Sequence, residues 1–268
     1  MAPLFPFRVL EFRVLEKKVL IGIYGYDQQL KSPNLTTIVI PKVNTPNDLA
    51  FVADVVKHSL SQAQGREDHP TTTRPPISLL ALVESAKSLT NLREICDASP
   101  LLQGLIFAAE DFALDLSLTR TPSLTEFLFA RSAIATAARA AELPSTIDLV
   151  CTAYRASGAD GSNAMDVLKA ECQNGRQLGF NGKQCIHPSQ VETVQSIFGP
   201  DENEVEWAVR VMVADEKAAA EGRGAWTLDG KMIDVPVAEK ARAIVRKASE
   251  CDFNIRELRE KWEHQRPE

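Results

Sequence analysis

The stretch ISLLALVE, residues 77–84, decides the fold. A strand with one wet face alternates apolar and polar residues, but this one is apolar almost throughout, the signature of a strand covered on both faces in a parallel sheet. It ends on a single acid, Glu84. The segment that follows, SAKSLTNLREICDAS (85–99), has apolar residues at helical spacing and predicts a helix.

The same unit repeats in both directions. TIVIPKV (37–43) is rich in β-branched residues and predicts a strand, and NDLAFVADVVKHSL (47–60), just after a proline, predicts a helix. Downstream, the strand GLIFAA (104–109) is followed by an expected loop and then by the long helix SLTEFLFARSAIATAARAAEL (123–143). The strand TIDLVC (146–151) leads through a Gly/Asp/Ser loop to the helix AMDVLKAECQNGRQLG (164–179), and a last strand, KQCI (183–186), ends at His187-Pro188.

Strands alternating with helices give a parallel sheet with helices against it. No GxGxxG follows any strand, so a (β/α) barrel fits better than an open dinucleotide-binding sheet. An eight-stranded barrel takes ~250 residues. Five units occupy residues 37–188, and the 36 residues before them leave room for one or two strands such as KVLIGIY (18–24). The expected class is therefore α/β, a (β/α)8 TIM-barrel type short of N-terminal strands over residues 1–198, with a helical C-terminal extension over residues 199–268. The pentad FRVLE occurs twice in succession, at 7–11 and 12–16, and sequence reasoning gives no physical account of it.

The net charge of -6 argues against non-specific nucleic-acid binding, though not against a local basic pocket for a phosphorylated ligand. Cys96, Cys151, Cys172, Cys185 and Cys251 are scattered, odd in number and contain no CxxC. That pattern predicts neither a disulfide framework nor a zinc site, and favours a reducing intracellular compartment, cytoplasmic before mitochondrial. No apolar stretch approaches the ~20 residues of a membrane span. The N-terminal segment, carrying Glu11 and Glu16, makes a poor signal or transit peptide. Neither a nucleic-acid nor a membrane partner is expected.

Three acids stand at strand ends: Glu84 after ISLLALV, and Glu110 and Asp111 after GLIFAA. Neighbouring strands lie ~4.8 Å apart, and the loops leaving their C-terminal ends form the active face of a barrel. Glu84 and one of the 110/111 pair should therefore meet at the mouth, where two carboxylates repel unless a cation or a shared proton sits between them. With no Cys or His beside them, an all-oxygen set suits Mg²⁺, which often takes one or two protein carboxylates and fills its shell with water and substrate oxygens. The competing expectation has Glu84 capping the next helix or in its first turn, stabilised by the helix dipole, and Asp111 capping a turn. Both readings stand on the sequence pattern.

LVESAKSL, FAAEDFALDL, TRTPSLTEFLFARS, GFNGKQCIHPSQV and GAWTLDGKMIDVP, in that order and spacing, resemble the citrate lyase beta-subunit-like proteins. These are relatives of malyl-CoA and citramalyl-CoA lyases in the HpcH/HpaI aldolase superfamily, and the likeness runs from about residue 37 to about residue 248. The resemblance implies a Mg²⁺-dependent lyase that makes or breaks a carbon–carbon bond in a 3-hydroxyacyl-CoA thioester, with a 2-oxo acid and an acyl-CoA as the fragments. It implies that Glu84 and Asp111 hold the metal, that Glu84 also meets substrate, and that Glu110 supports the site or takes a backbone partner. It further implies that Asp234 works as the catalytic acid/base on a neighbouring subunit, so that the C-terminal extension packs on or caps that subunit in a homo-oligomer, commonly a trimer in the family. Arg120 matches a family position and is a candidate substrate-binding residue. Lys183 is either a holder of a CoA phosphate or substrate carboxylate, or half of a surface ion pair. Arg131, mid-helix, is expected in a structural salt bridge, and His187 at a helix start.

The chain departs from the family at its front. The early strands of relatives carry arginines that hold a substrate carboxylate, in motifs not legible here, and Asn44 stands in KVNTP where many relatives have an acid. Two expectations follow: an active lyase in which Arg120 or Lys42 replaces the lost arginines, or a catalytically impaired homologue serving as a structural or binding subunit. An arginine pointing into the mouth beside Glu84 and Asp111 discriminates between them.

Overall fold

A computed structural model describes residues 9–11, 35–64, 77–153, 163–251 and 253–268. The chain divides into two compact units between Gln190 and Val191, ahead of the boundary at 198 expected from sequence.

The first unit is built on six strands: β1 Val9–Glu11, β2 Thr37–Ile40, β3 Ser78–Val83, β4 Leu102–Phe107, β5 Ser145–Asp148 and β6 Gly182–Lys183. All pair in parallel, each beside its sequence neighbour, in the order β1 to β6. A doubly wound sheet reverses its strand order at a switch point; this monotonic winding is that of a (β/α) barrel. The expected fold class holds, with six strands among the described residues. Helix α1 (Pro46–Gln64) connects β2 to β3. Helices α2 (Ala86–Thr90) and α3 (Leu92–Cys96) lie between β3 and β4, α4 (Ala109–Leu116) and α5 (Leu128–Ala140) between β4 and β5, and α6 (Ala164–Gln177) between β5 and β6.

Register explains the near-continuous apolar strands. Ile38, Leu79, Ala81, Val83, Leu105 and Phe107 share one face and are essentially inaccessible. Helices cover that face: Phe107 stacks edge-on against Phe112 of α4 and against Phe127, with ring centroids 5.3 and 5.7 Å apart. The alternate positions, Val39, Leu82 and Ile106, form the core of the other face with Leu80 and Ile147. Gly104 lies in that second set, where β3 and β4 slip by one residue. A Cβ there would stand 2.5 Å from both Cβ and O of Ser145, so the close approach of β4 to β5 requires glycine.

Several elements differ from expectation. KVLIGIY lies outside the described residues, while β1 falls in the first FRVLE copy. The helix expected over 85–99 is two, because Asn91 leaves helical geometry and donates its side-chain N–H to the Asn44 carbonyl at 2.8 Å. The helix expected from 123 begins with left-handed Leu124 and a single 3₁₀ turn before α5. Of the last strand expected over 183–186, only Lys183 pairs with β5, together with Gly182 just before it. Where a loop was expected after GLIFAA, α4 begins at once at Ala109.

The second unit comprises α7 (Val191–Phe198), α8 (Glu202–Ala220), the antiparallel hairpin β7 (Trp226–Leu228) and β8 (Lys231–Ile233), α9 (Val235–Glu250) and α10 (Ile255–Lys261). Asp201 and Glu204 form a capping box that starts α8. The extension expected to be helical thus also carries a hairpin, whose turn residues Asp229 and Gly230 both have positive φ (51° and 72°). An Asp-Gly pair is suited to that two-residue turn. The core of this unit joins Val205, Val209 and Ala214 of α8 to Trp226, Leu228 and Ile233 of the hairpin and to Ala241 and Val245 of α9. No helix among the described residues is long and apolar enough to cross a membrane.

Candidate active site

Glu84 and Asp111 are brought together at the C-terminal ends of β3 and β4, as the strand-end reading expects, and the group between them is Lys42. This lysine follows β2 with φ 56°, a left-handed conformation uncommon for a residue with a Cβ. In that geometry its backbone N–H donates to Glu84 Oε1 at 2.6 Å. Its side chain reaches the same place: Nζ lies 2.9 Å from Asp111 Oδ1 and 3.3 Å from Glu84 Oε1. One positive charge thus bridges two carboxylates.

The helix starts hold the acids in position. Ser85, not Glu84, is the N-cap of α2, in a capping box with Ser88, and the Glu84 N–H donates to Ser88 Oγ at 3.2 Å. The Ser85 hydroxyl also donates to Asn44 Oδ1 at 2.5 Å, tying the turn after β2 to the turn after β3. Glu84, one residue outside the cap, turns its carboxylate to Lys42. The capping alternative for Glu84 is therefore corrected. Glu110 and Asp111 both sit in the first turn of α4, where the helix dipole favours negative charge.

Burial sets the electrostatics. Glu84 is 5% exposed, whereas Lys42 and Asp111 are about half exposed at 53% and 51%. Burial pushes the Glu84 carboxyl above the ordinary glutamate range, and the Lys42 N–H and ammonium oppose that push without cancelling it. The hydrogen bond to Asp111 holds the Lys42 ammonium above its usual range.

Next to this trio lies a second charge chain. Arg120 donates Nη1 to Glu110 Oε1 at 2.5 Å, and Nη2 to the Val150 carbonyl and to Glu171 Oε1, both at 3.0 Å. Glu171 Oε2 in turn lies 2.9 Å from Lys183 Nζ. Both of those atoms are fully buried, and neither has a partner with hydrogen-bond geometry, so the pair is an ion pair by distance alone. Lys183 is half of an ion pair, but a buried one rather than a surface one: its side chain is 0% exposed and touches no solvent. Adjacent residues on one helical turn, Glu110 and Asp111, therefore serve different cations. Glu110 pairs with Arg120, and Asp111 faces Lys42 and Glu84.

Glu171 was not singled out from the sequence. The available signal is an acid on the buried stripe of α6, in step with Leu168, Cys172 and Gly175. Arg131 is 1% exposed and makes a two-pronged pair with Asp148, through Nε at 3.0 Å and Nη2 at 2.6 Å, while Nη1 donates to Asn174. This is the structural salt bridge expected of it. His187 Nδ1 accepts from the Ser189 N–H at 3.3 Å, at the start of a 3₁₀ turn. Asp234, in the second unit, is the N-cap of α9, with Oδ1 accepting from the Val237 N–H at 3.1 Å.

The trio passes a fit test for a divalent cation. Its donors are carboxylate oxygens, and the place between them is one a cation already prefers, with the lysine ammonium as stand-in. No third His, Cys, Asp or Glu joins them among the described residues. Two carboxylates are what Mg²⁺ commonly takes from protein, with water and substrate oxygens completing its shell.

Comparison with known proteins agrees with the geometry. The family profile described as HpcH/HpaI aldolase/citrate lyase matches residues 22–188. The citrate lyase subunit beta of Escherichia coli K12 is 38% identical over 211 residues, which cover 78% of this chain and 64% of that protein. The mitochondrial citramalyl-CoA lyase of Homo sapiens is 30% identical over 218 residues, covering 78% of this chain and 59% of that protein. The chain thus spans less than two-thirds of the length of these two relatives. Among solved structures, the protein CitE of Mycobacterium tuberculosis in complex with magnesium, acetoacetate and coenzyme A superposes with a TM-score of 0.60 at 25% identity, over 92% of this chain and 80% of that one. With the family profile matched over more than half its length and its acids at the ends of parallel strands, the chain belongs to the HpcH/HpaI aldolase/citrate lyase family.

Proposed function

We propose that the protein is a Mg²⁺-dependent carbon–carbon lyase acting on a 3-hydroxyacyl-CoA-type thioester, citryl-, malyl- or citramalyl-like, to give a 2-oxo acid and an acyl-CoA. The observation that carries this is the pair Glu84 and Asp111, side by side at neighbouring strand ends and bridged by one cation. The names of the relatives support it: a citrate lyase subunit, a citramalyl-CoA lyase, and a structure holding magnesium, acetoacetate and coenzyme A.

Glu84 and Asp111 would hold the metal. Bound there, Mg²⁺ supplies Lewis-acid polarisation of the oxo acid's carbonyl oxygen. The chain's own residues do the rest. Glu84 is fixed by the Lys42 N–H, and its burial keeps water from that side. Arg120 holds Glu110 and so fixes the turn that presents Asp111. Lys183 acts through Glu171 on Arg120 as a positioning group rather than by touching substrate. In the cleavage, the bond between the α- and β-carbons breaks, the β-hydroxyl loses its proton and becomes the oxo group, and the α-carbon takes a proton. We assign that last proton to Asp234 of a second copy, in a homo-oligomer that we take to be a trimer; its capping bond to Val237 fixes the carboxylate's orientation. A cytoplasmic or mitochondrial setting belongs to the same proposal. Arg120 is engaged by Glu110, Glu171 and the Val150 carbonyl rather than turned to Glu84 and Asp111. The cation beside those two acids is therefore Lys42, and its half-exposed charge supports an anion-binding mouth and hence the enzyme over a catalytically impaired binding subunit.

The test is thermal unfolding of the full chain with Mg²⁺, with and without pyruvate, glyoxylate or oxaloacetate, beside Asp111→Asn. A ligand at 100 times its dissociation constant stabilises by about 2.7 kcal/mol. A Mg²⁺-dependent shift lost in Asp111→Asn, followed by cleavage of a malyl- or citramalyl-type thioester, is the expected result. A cooperative melt with no shift would leave the binding-subunit reading and remove the lyase.

A further inference from the structure

Lys42 stands where a metal ion would have to go. Its ammonium pairs with Asp111 Oδ1 at 2.9 Å and Glu84 Oε1 at 3.3 Å, one oxygen of each candidate ligand. Two cations cannot share that gap, so arrival of a divalent ion displaces the ammonium. Charge favours the exchange: two carboxylates and one lysine sum to -1, whereas two carboxylates and Mg²⁺ sum to zero. The displaced side chain does not leave the mouth. Its backbone stays tied by the 2.6 Å bond to Glu84, its stem has four flexible carbons, and it is 53% exposed. Arg120, by contrast, is engaged with Glu110, Glu171 and the Val150 carbonyl, and the Lys183 side chain is sealed off.

We propose that Lys42 is an exchangeable counter-ion: it bridges Glu84 and Asp111 before the metal arrives, is displaced by Mg²⁺, and then holds the carboxylate of the 2-oxo acid. The inference rests on the reading of Glu84 and Asp111 as metal ligands. It assigns an order of events, metal first and oxo acid second, with one residue linking them. The lysine's charge opposes the first event and assists the second, so removing it moves the two affinities in opposite directions. A residue that merely props the loop would move both the same way or neither.

The experiment is calorimetric titration of the full metal-free chain with Mg²⁺ alone, then with pyruvate at saturating Mg²⁺, for wild type, Lys42→Met and Lys42→Gln. Each variant is first checked for a cooperative melt. Both keep the backbone N–H that serves Glu84, and whichever folds suffices. An exposed ion pair is worth up to roughly a fivefold change in an equilibrium constant, so the Mg²⁺ dissociation constant should fall by up to about that factor while that of pyruvate rises by a comparable one. Both constants moving the same way, or either one unmoved, overturns the proposal while leaving the metal site standing. Absence of Mg²⁺ binding in wild type and variants alike removes the metal site and the proposal together.

Discussion

Replacing Arg131 with methionine tests the internal frame of the first unit. The guanidinium is 1% exposed and its partner Asp148 0%. The substitution keeps most of the side-chain volume but removes two bonds to Asp148, at 3.0 and 2.6 Å, and a third to Asn174 at 2.6 Å. It leaves Asp148 charged, inaccessible and without its cation. Breaking a buried pair by deleting one partner costs about 3–5 kcal/mol, a large part of the 5–15 kcal/mol that stabilises a typical domain. Urea unfolding followed by far-ultraviolet circular dichroism measures it. Trp207, Trp226 and Trp262 all lie in the second unit, so their fluorescence tracks that unit separately. The circular-dichroism midpoint should fall by the equivalent of about 3 kcal/mol or more. The double variant Arg131→Met/Asp148→Leu should recover much of the loss, because it leaves no charge behind. A single-variant loss below about 1 kcal/mol would place the pair with weak surface ion pairs and refute the reasoning.

Burial raises the Glu84 carboxyl, so its proton is bound more tightly in the folded chain than in the unfolded one. Its contribution to stability is present below the unfolded value and is lost as pH rises through the raised folded one. Melting curves of metal-free Glu84→Gln, which keeps an acceptor for the Lys42 N–H, should therefore gain on wild type as pH rises through that window; a constant difference would contradict the shift. Gly104→Ala should destabilise by about 2 kcal/mol or more, since the new Cβ meets backbone that cannot rotate away, and an unchanged urea midpoint would count against the close β4–β5 approach. Burial pushes the Cys96 thiol up to about 11 and that of Cys172 up to about 12, and raises Cys151 as well. Burial raises the Cys185 thiol too, so access rather than acidity separates them: iodoacetamide should label exposed Cys185 while sparing these three buried thiols until the chain is unfolded, as peptide mass spectrometry would read.

The legible parts of the fold were those set by local chemistry. Doubly apolar strands announce a two-sided environment, and their ends can be read because the pattern stops on an acid at Glu84 and close to one at Glu110. Starts and ends that depend on partners could not be read. Asn91 breaks a helix in order to bond Asn44, 47 residues away, and β6 shortens to the two residues that face β5. The same divide runs through the site. Glu84 and Asp111 follow from strand order, but the role of Lys42 depends on a backbone angle that its sequence neighbours do not dictate. Glu171 is joined to Arg120 across 51 positions by packing alone, and only its place on an apolar stripe hinted at it. The Asp-Gly turn of the hairpin was readable in principle, but helical neighbours on either side obscured two three-residue strands.

The left-handed backbone at Lys42 sets the comfort of the main chain against the charge of the side chain. Glycine enters that region without steric penalty, whereas a residue with a Cβ is held there at a cost of roughly 1–3 kcal/mol. Lys42→Gly would relieve that backbone cost and in the same step leave buried Glu84 and half-exposed Asp111 facing each other without their shared cation, so ease of the loop and charge balance of the mouth pull against each other at one position.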